Sequence, residues 1–155
     1  MQPNAFKSLS IIHLAIMAGL CMFAVVSLVV VLKGFPRVDE SFQRTFQLVC
    51  ILVSASAVIA GFNIFKKRIL AARNSNGSGE ARMQQYRAAC VIWWAMIEGP
   101  GLLAGIGFLL SGNFSFFVLA IVHVLILLVF APRKANIIVF LNLDSKEVAQ
   151  LEGSI

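Results

Sequence analysis

The sequence predicts an all-α integral membrane protein, a four-helix bundle, and three observations lead to this prediction. Of the 155 residues, 59% are hydrophobic and only 13% are charged, whereas soluble domains average roughly 45–50% and about 25%. The mean hydropathy is +0.89. The hydrophobic residues form four continuous runs that lack the period-two alternation of barrel strands. This composition excludes a soluble globule, a disordered chain and a disulfide-rich scaffold.

Each hydrophobic run predicts one transmembrane helix. A helix needs roughly 20 apolar residues to cross about 30 Å of hydrocarbon, because it rises about 1.5 Å per residue. The first run is too long for the hydrophobic core of a secretory signal, so we expect it to remain as a helix. The four runs cover residues 10–32, 45–65, 88–110 and 114–131.

The orientation is predicted from the basic residues, since short loops rich in Lys and Arg stay in the cytoplasm. The segment 66–87 is predicted to be a cytoplasmic loop, and the turn 111–113 is uncharged. Both termini are therefore expected in the cytoplasm, with a membrane domain over residues 1–133 and a short tail over residues 134–155. The basic residues of the loop are Lys66, Lys67, Arg68, Arg73, Arg82 and Arg87.

We attribute the net charge of +6 largely to basic residues at the ends of the predicted helices. Basic residues at helix ends fix topology and bind anionic lipid headgroups. We therefore expect a bacterial inner (plasma) membrane protein that contacts anionic lipid and not nucleic acid.

Small residues four positions apart recur within the predicted helices. Helices in lipid associate through close backbone approach at such residues, because no hydrophobic effect drives them together there. The pairs predict tight packing, either inside the bundle or between subunits. They are Ala15 and Gly19, Ser56 and Ala60, Ala57 and Gly61, Ala95 and Gly99, and Gly101 and Gly105.

An internal repeat is predicted from a shift of 80 residues. The segment beginning Phe6-Lys7 aligns with the one beginning Tyr86-Arg87, and Ala15 and Gly19 align with Ala95 and Gly99. Two helical hairpins of the same orientation are therefore expected, related by an axis along the membrane normal.

Glu98 is the acidic residue that falls within a hydrophobic run. A charged side chain at mid-span costs about 2.5–3.5 kcal/mol, so it should face protein or water. At helical spacing Trp94, Glu98, Gly101 and Gly105 share one face, which predicts that the carboxyl opens onto a groove of glycines. Pro100, beside Gly99, is predicted to kink the helix and free a carbonyl.

His123 is the predicted partner of Glu98. With a tight turn at residues 111–113, antiparallel helices place these two residues at the same depth. Glu98 and His123 are therefore the candidates for a proton or cation site.

No catalytic, metal or cofactor motif is present. The sequence contains no nucleophile elbow, zinc-protease helix, phosphate-binding loop or dinucleotide fingerprint. Its cysteines, Cys21, Cys50 and Cys90, are widely spaced, so we interpret them as packing residues. A non-enzymatic protein without metal or cofactor is expected.

The tail is predicted to contain a short helix. Asp144 followed by Glu147 has the spacing of a capping box. The apolar stretch between Pro132 and Asp144 is predicted to be a membrane-surface helix, with a strand or a docking segment as alternatives.

The sequence resembles two groups of membrane proteins. The paired hairpins and the segment from Trp94 to Gly101, ending at Asn113, look like small, uncharacterised four-helix membrane proteins of bacterial genomes. Glu98 among glycines is also similar to the carboxylate of duplicated proteolipid c subunits of rotary ATPases, which implies proton or sodium binding. In that family, however, the carboxylate lies on the second helix of a hairpin, whereas Glu98 lies on the first.

Two functions are therefore considered. The first is an oligomerising or accessory subunit of a membrane complex, a homo-oligomer or a partner of other membrane subunits. The alternative is a transport or energy-coupling subunit in which Glu98 binds protons or cations.

Overall fold

The structure, a computed structural model, describes residues 4–34 and 38–153 and is all-helical, as predicted. No strand occurs in these two ranges. The helices are α1 (Ala5–Leu32), α2 (Glu40–Arg73), α3 (Gly79–Ser111), α4 (Phe114–Val129), α5 (Lys134–Leu141) and α6 (Ser145–Glu152).

Side-chain caps explain where several helices begin. The side chains of Asn4, Ser78 and Asn113 accept backbone hydrogen bonds at the first turns of α1, α3 and α4. Such caps satisfy N–H groups that have no partner within the helix. Gly112 adopts a left-handed φ of 64° after α3, which allows the chain to reverse at once into α4.

Helices α1, α2 and α3 are each long and apolar enough to cross a membrane, and α4 with α5 makes a fourth span only if this bent pair counts as one. The fourth predicted helix was expected to continue to residue 131, but α4 ends at Val129. Pro132 explains the early end, because proline disfavours helical geometry in the residue before it and has no N–H to donate. The chain turns by 68° between α4 and α5.

The basic segment 66–87, predicted to be a loop, is mostly helical. Helix α2 continues to Arg73 and α3 begins at Gly79, so only residues 74–78 connect them. Lys and Arg are good helix formers, and the helices also bury Phe65, Ala72, Met83 and Tyr86 along these extensions. The apolar runs therefore predict the hydrophobic part of α2 and α3 but not where these helices end and begin.

Helix α3 is the centre of the bundle and packs against α1, α2 and α4. In its most hydrophobic stretch of 18 residues, α3 buries 50% of the residues, whereas the corresponding stretches of α1 and α2 bury 22% and 17%. Helices α1 and α2 are consecutive but barely touch. The expected pair of hairpins is thus corrected: α3 and α4 pack as a hairpin, whereas α2 packs on α3 instead of on α1.

Under the shift of 80 residues, each of the seven buried positions of α1 falls on a buried position of α3, although α3 buries eight further residues. The exposed pair Ala15 and Gly19 aligns with the exposed pair Ala95 and Gly99. A repeat that relates α1 to α3 would produce this pattern. The second helices of the two halves do not correspond in length, since α2 has 34 residues and α4 has 16. The buried positions Phe6, Leu9, His13, Leu20, Ala24, Ser27 and Val31 align with the buried positions Tyr86, Ala89, Trp93, Pro100, Ala104, Gly107 and Ser111.

The tail is helical and is attached to α3. Helix α6 has the predicted capping box of Asp144 and Glu147, and the stretch before it forms α5, so the alternative of a strand is wrong. Arg82 of α3 donates hydrogen bonds to the carbonyl oxygens of Leu141 at 2.6 Å and Asn142 at 3.1 Å, and it also pairs with Glu147. The guanidinium of Arg82 therefore contacts both the C-terminal end of α5 and the first turn of α6.

Replacing Arg82 with Gln should release α6 from the bundle. Hydrogen bonds to charged groups contribute about 1.5–3 kcal/mol each when they are partly buried, and Gln cannot reach all three acceptors. Hydrogen exchange in residues 145–152 should become much faster in R82Q. Arg87, exposed on the same helix, provides the control R87Q, and equal exchange in the two variants would contradict this attachment.

Candidate functional site

Glu98 lies on α3 beside α1 and is half-buried. A Cβ built on Gly19 of α1 would lie 3.8 Å from its Oε1. The carboxyl makes no hydrogen bond and no ion pair with any residue in the described ranges. Glu98 therefore lies at the outer edge of the contact between α1 and α3, open to whatever surrounds the bundle.

The predicted pairing of Glu98 with His123 is not observed. His123 is 1% exposed, and its Nδ1–H donates to the carbonyl of Leu119 on its own helix at 2.8 Å. Its buried Nε2 has no hydrogen-bond partner among the residues described. The two residues are on adjoining helices, but His123 lies against Gly101 while Glu98 points toward α1. The prediction rested on the equal depth of the two residues. Depth does not determine how each helix is rotated about its axis, and this rotation directs the two side chains to different neighbours.

The predicted face of Trp94, Glu98, Gly101 and Gly105 is the face of α3 that receives α1. The Trp94 ring lies 4.8 Å from the ring of His13, measured between centroids. A Cβ on Gly101 would meet the Leu20 side chain at 3.0 Å, and a Cβ on Gly105 would meet the Phe23 ring at 2.5 Å. The glycine groove is therefore filled by α1, and α3 is continuous through the buried Pro100 beside it.

The other predicted small residues divide between packing and exposed positions. Gly61 of α2 lies so close to Trp93 that a Cβ there would be 2.7 Å from the indole. Ala57 beside it is partly buried, whereas Ser56 and Ala60 are exposed. Within the described ranges, the Gly61 side of α2 packs against the rest of the chain, whereas the side with Ser56 and Ala60 does not.

Four of the exposed small residues lie on α1 and α3, and we call them the outer small-residue face. They are Ala15 and Gly19 of α1 with Ala95 and Gly99 of α3. A Cβ on Gly99 would meet nothing within 4 Å. Glu98 belongs to the same surface, since its carboxyl lies beside Gly19. An uncovered carboxyl thus lies among small side chains on the outside of the bundle.

His13 has a defined contact that sequence reasoning did not anticipate. It is buried, and its Nε2–H donates to the carbonyl oxygen of Leu127 on α4 at 3.0 Å. This carbonyl is in the last turn of α4, where helix carbonyls lack backbone donors. His13 therefore closes the end of α4. Pro132, which ends α4 early at Val129, is the sequence feature that could have indicated the need for an external donor there.

Within residues 4–34 and 38–153, no three His, Cys, Asp or Glu side chains come together to hold a metal ion. The arrangement offers one carboxyl at an outer surface and, separately, one buried imidazole nitrogen, two groups that do not act as a pair.

Comparisons with protein-family models, curated proteins and solved structures found no match to this chain.

Substitution of Gly105 with Ala should destabilise the protein because the new methyl group collides with the Phe23 ring. Overpacking of this kind costs about 1–3 kcal/mol, measurable as a lower free energy of unfolding in an SDS titration. The companion change F23L removes the colliding ring atoms, so the double variant should recover part of the loss. A double-mutant cycle without coupling would show that α1 does not fill this groove.

Proposed function

We propose that this chain is a non-enzymatic subunit of a membrane assembly. It crosses the bacterial plasma membrane four times, with α4 as the fourth crossing and both termini in the cytoplasm. Three long apolar helices support this placement. So do the large apolar side chains on the outer surfaces, such as Leu14 at 58%, Leu48 at 64% and Val118 at 59% exposed.

The charge distribution supports the orientation. Basic residues follow the apolar part of α2 at Lys66 and Arg73 and precede that of α3 at Arg82. Further cations, Arg133 and Lys134, follow α4. In a four-pass arrangement all of these residues lie at one end of the bundle, which favours the cytoplasmic side for that end.

The outer small-residue face is the observation on which the subunit proposal rests. In lipid, small exposed residues allow another helix to approach closely. The half-exposed Glu98 would face hydrocarbon in an isolated chain, at a cost of about 2.5–3.5 kcal/mol for an acidic side chain at mid-span. A second copy, or another membrane subunit, placed on this face removes the carboxyl from lipid and packs against Gly19 and Gly99.

A bulky residue at Gly99 should separate the assembly without disturbing the chain itself. Leucine fits there because a Cβ meets nothing within 4 Å, and it is a better helix former than glycine. We expect G99L to lose the associated subunits seen with wild type, measured as the protein mass in a mild detergent by sedimentation or light scattering.

The matched control is A55L, a small-to-Leu change at an exposed position of α2 outside this face. It should retain the wild-type mass. A wild-type chain that is monomeric in detergent and in lipid bilayers, with no co-purifying membrane protein, would refute the subunit proposal.

A second candidate function uses the same carboxyl to bind a proton or cation. The observation favouring it is that Glu98 has no hydrogen-bond or ion-pair partner within the described ranges and is reachable from outside the chain. The groove behind it is filled by Leu20 and Phe23, so an ion would pass along the outer surface and a neighbouring subunit would complete the path.

Liposome reconstitution distinguishes the two functions. If Glu98 binds protons in a transport cycle, an enclosed pH-sensitive dye should respond with wild type and fail to respond with E98Q. The control E80Q changes an exposed acid in the first turn of α3 and should behave as wild type. Identical dye responses in all three proteins would leave only the subunit function.

A further inference from the structure

A cavity of about 460 Å³ lies at the basic end of the bundle, away from Glu98. It is enclosed by the last turns of α2, the bend between α4 and α5, and Tyr86 of α3. Its volume falls within the range of about 300–1,000 Å³ that is typical of small-molecule sites. The bend after Val129 creates the space, because α5 turns away from the axis of α4.

Three cations border the cavity: Lys66 and Arg73 of α2, and Arg133 from the bend. None of them forms an ion pair with a residue in the described ranges, where the recorded ion pairs use Arg82 and Lys134. No acidic residue is among the cavity's lining residues. The rim is therefore an uncompensated positive cluster.

The remaining wall is apolar and opens toward the hydrophobic exterior. Phe65 and Phe130 form its inner side, and both pack on Trp93, with ring centroids 6.1 Å and 5.3 Å away. Two other lining residues are exposed at the outer surface, Leu70 at 53% and Val129 at 74%. An apolar chain can thus reach the cavity from the side, past the exposed Val129 at the end of α4.

We propose that this cavity binds an anionic phospholipid. Its phosphate pairs with Lys66, Arg73 and Arg133, and the upper part of an acyl chain lies against Phe65 and Phe130. Basic pockets between membrane helices on the cytoplasmic side recognise such headgroups. The apolar wall distinguishes this ligand from free phosphate, which would use only the cations.

The inference rests on the membrane placement proposed above, but not on the subunit function. Lys66 lies just beyond the predicted span 45–65, and Arg133 lies just beyond the end of α4. Both cations are thus at the depth of headgroups if these helices cross the bilayer. The outer small-residue face plays no part in lipid binding, so the mass of G99L and the binding of lipid test separate claims.

The test uses the full chain purified in a neutral detergent. Short-chain phosphatidylglycerol and phosphatidylcholine with identical acyl chains are titrated, and binding is followed by thermal unfolding and by counting bound lipids in native mass spectra. We expect tighter binding of phosphatidylglycerol, with a loss of about fivefold in apparent affinity for each cation removed in R73Q and R133Q.

The matched control is the double variant K67Q/R87Q. It removes the same charge at the same end of the bundle, from exposed residues that do not line the cavity. It should retain the preference for phosphatidylglycerol, and R73Q/R133Q should lose it while melting at the wild-type temperature in the absence of lipid.

Three results would overturn the proposal. Equal affinity for the two lipids would exclude recognition of charge, and equal losses in the two double variants would show non-specific attraction. Inorganic phosphate that binds as tightly as phosphatidylglycerol would identify a phosphate site without a role for the acyl chain.

Discussion

Close packing around α3 depends on places where one helix has no side chain and its neighbour has a large one. Trp93 of α3 fits against Gly61 of α2, Phe23 of α1 fits against Gly105, and Phe116 of α4 fits against Gly107. Each of the three outer helices is thus positioned by a glycine opposite an aromatic ring. In the membrane placement proposed above, lipid would provide no hydrophobic effect between helices, so van der Waals contact of this kind would determine which helices associate. The contact of Phe23 with Gly105 sets how α1 lies on α3, and Glu98 lies at the edge of that contact beside Gly19.

The sequence was sufficient for features that depend on local chemistry. Composition predicted the helical class, and the Asp144 and Glu147 spacing predicted the start of α6. Helical periodicity predicted Gly101 and Gly105 on one face with an open groove, but α1 fills that groove. The sequence was not sufficient for features that depend on how a helix is rotated about its axis or on which helices are neighbours. His123 faces Gly101 and not Glu98, since depth along a helix does not determine direction around it. The association of α2 with α3 was missed because the segment 66–87 was predicted to be a long loop, whereas both helices extend through it and leave only residues 74–78 between them.

The glycines of α3 illustrate how one helix separates two roles. Gly101 and Gly105 face α1 and are needed for packing within the chain, whereas Gly99 faces outward over open space. Two positions along a helix correspond to a rotation of about 200°, which is sufficient to change an intramolecular contact into an exposed one. Glu98 lies between these roles at the edge of α1. Any chemistry of its carboxyl therefore depends on what approaches from outside the chain.

The tail connects parts of the bundle that otherwise have little contact. Helices α1 and α2 barely touch, yet α6 packs on α1 and α3, and α5 packs on α2 and α3. Lys134 at the start of α5 also pairs with Glu152 and lies 5.8 Å from the centroid of the Phe6 ring. The tail formed by α5 and α6 is thus a brace across one end of the bundle. Until it docks, α1 and α2 are coupled mainly through α3, so the spacing of these two helices is completed only when the C-terminal segment folds.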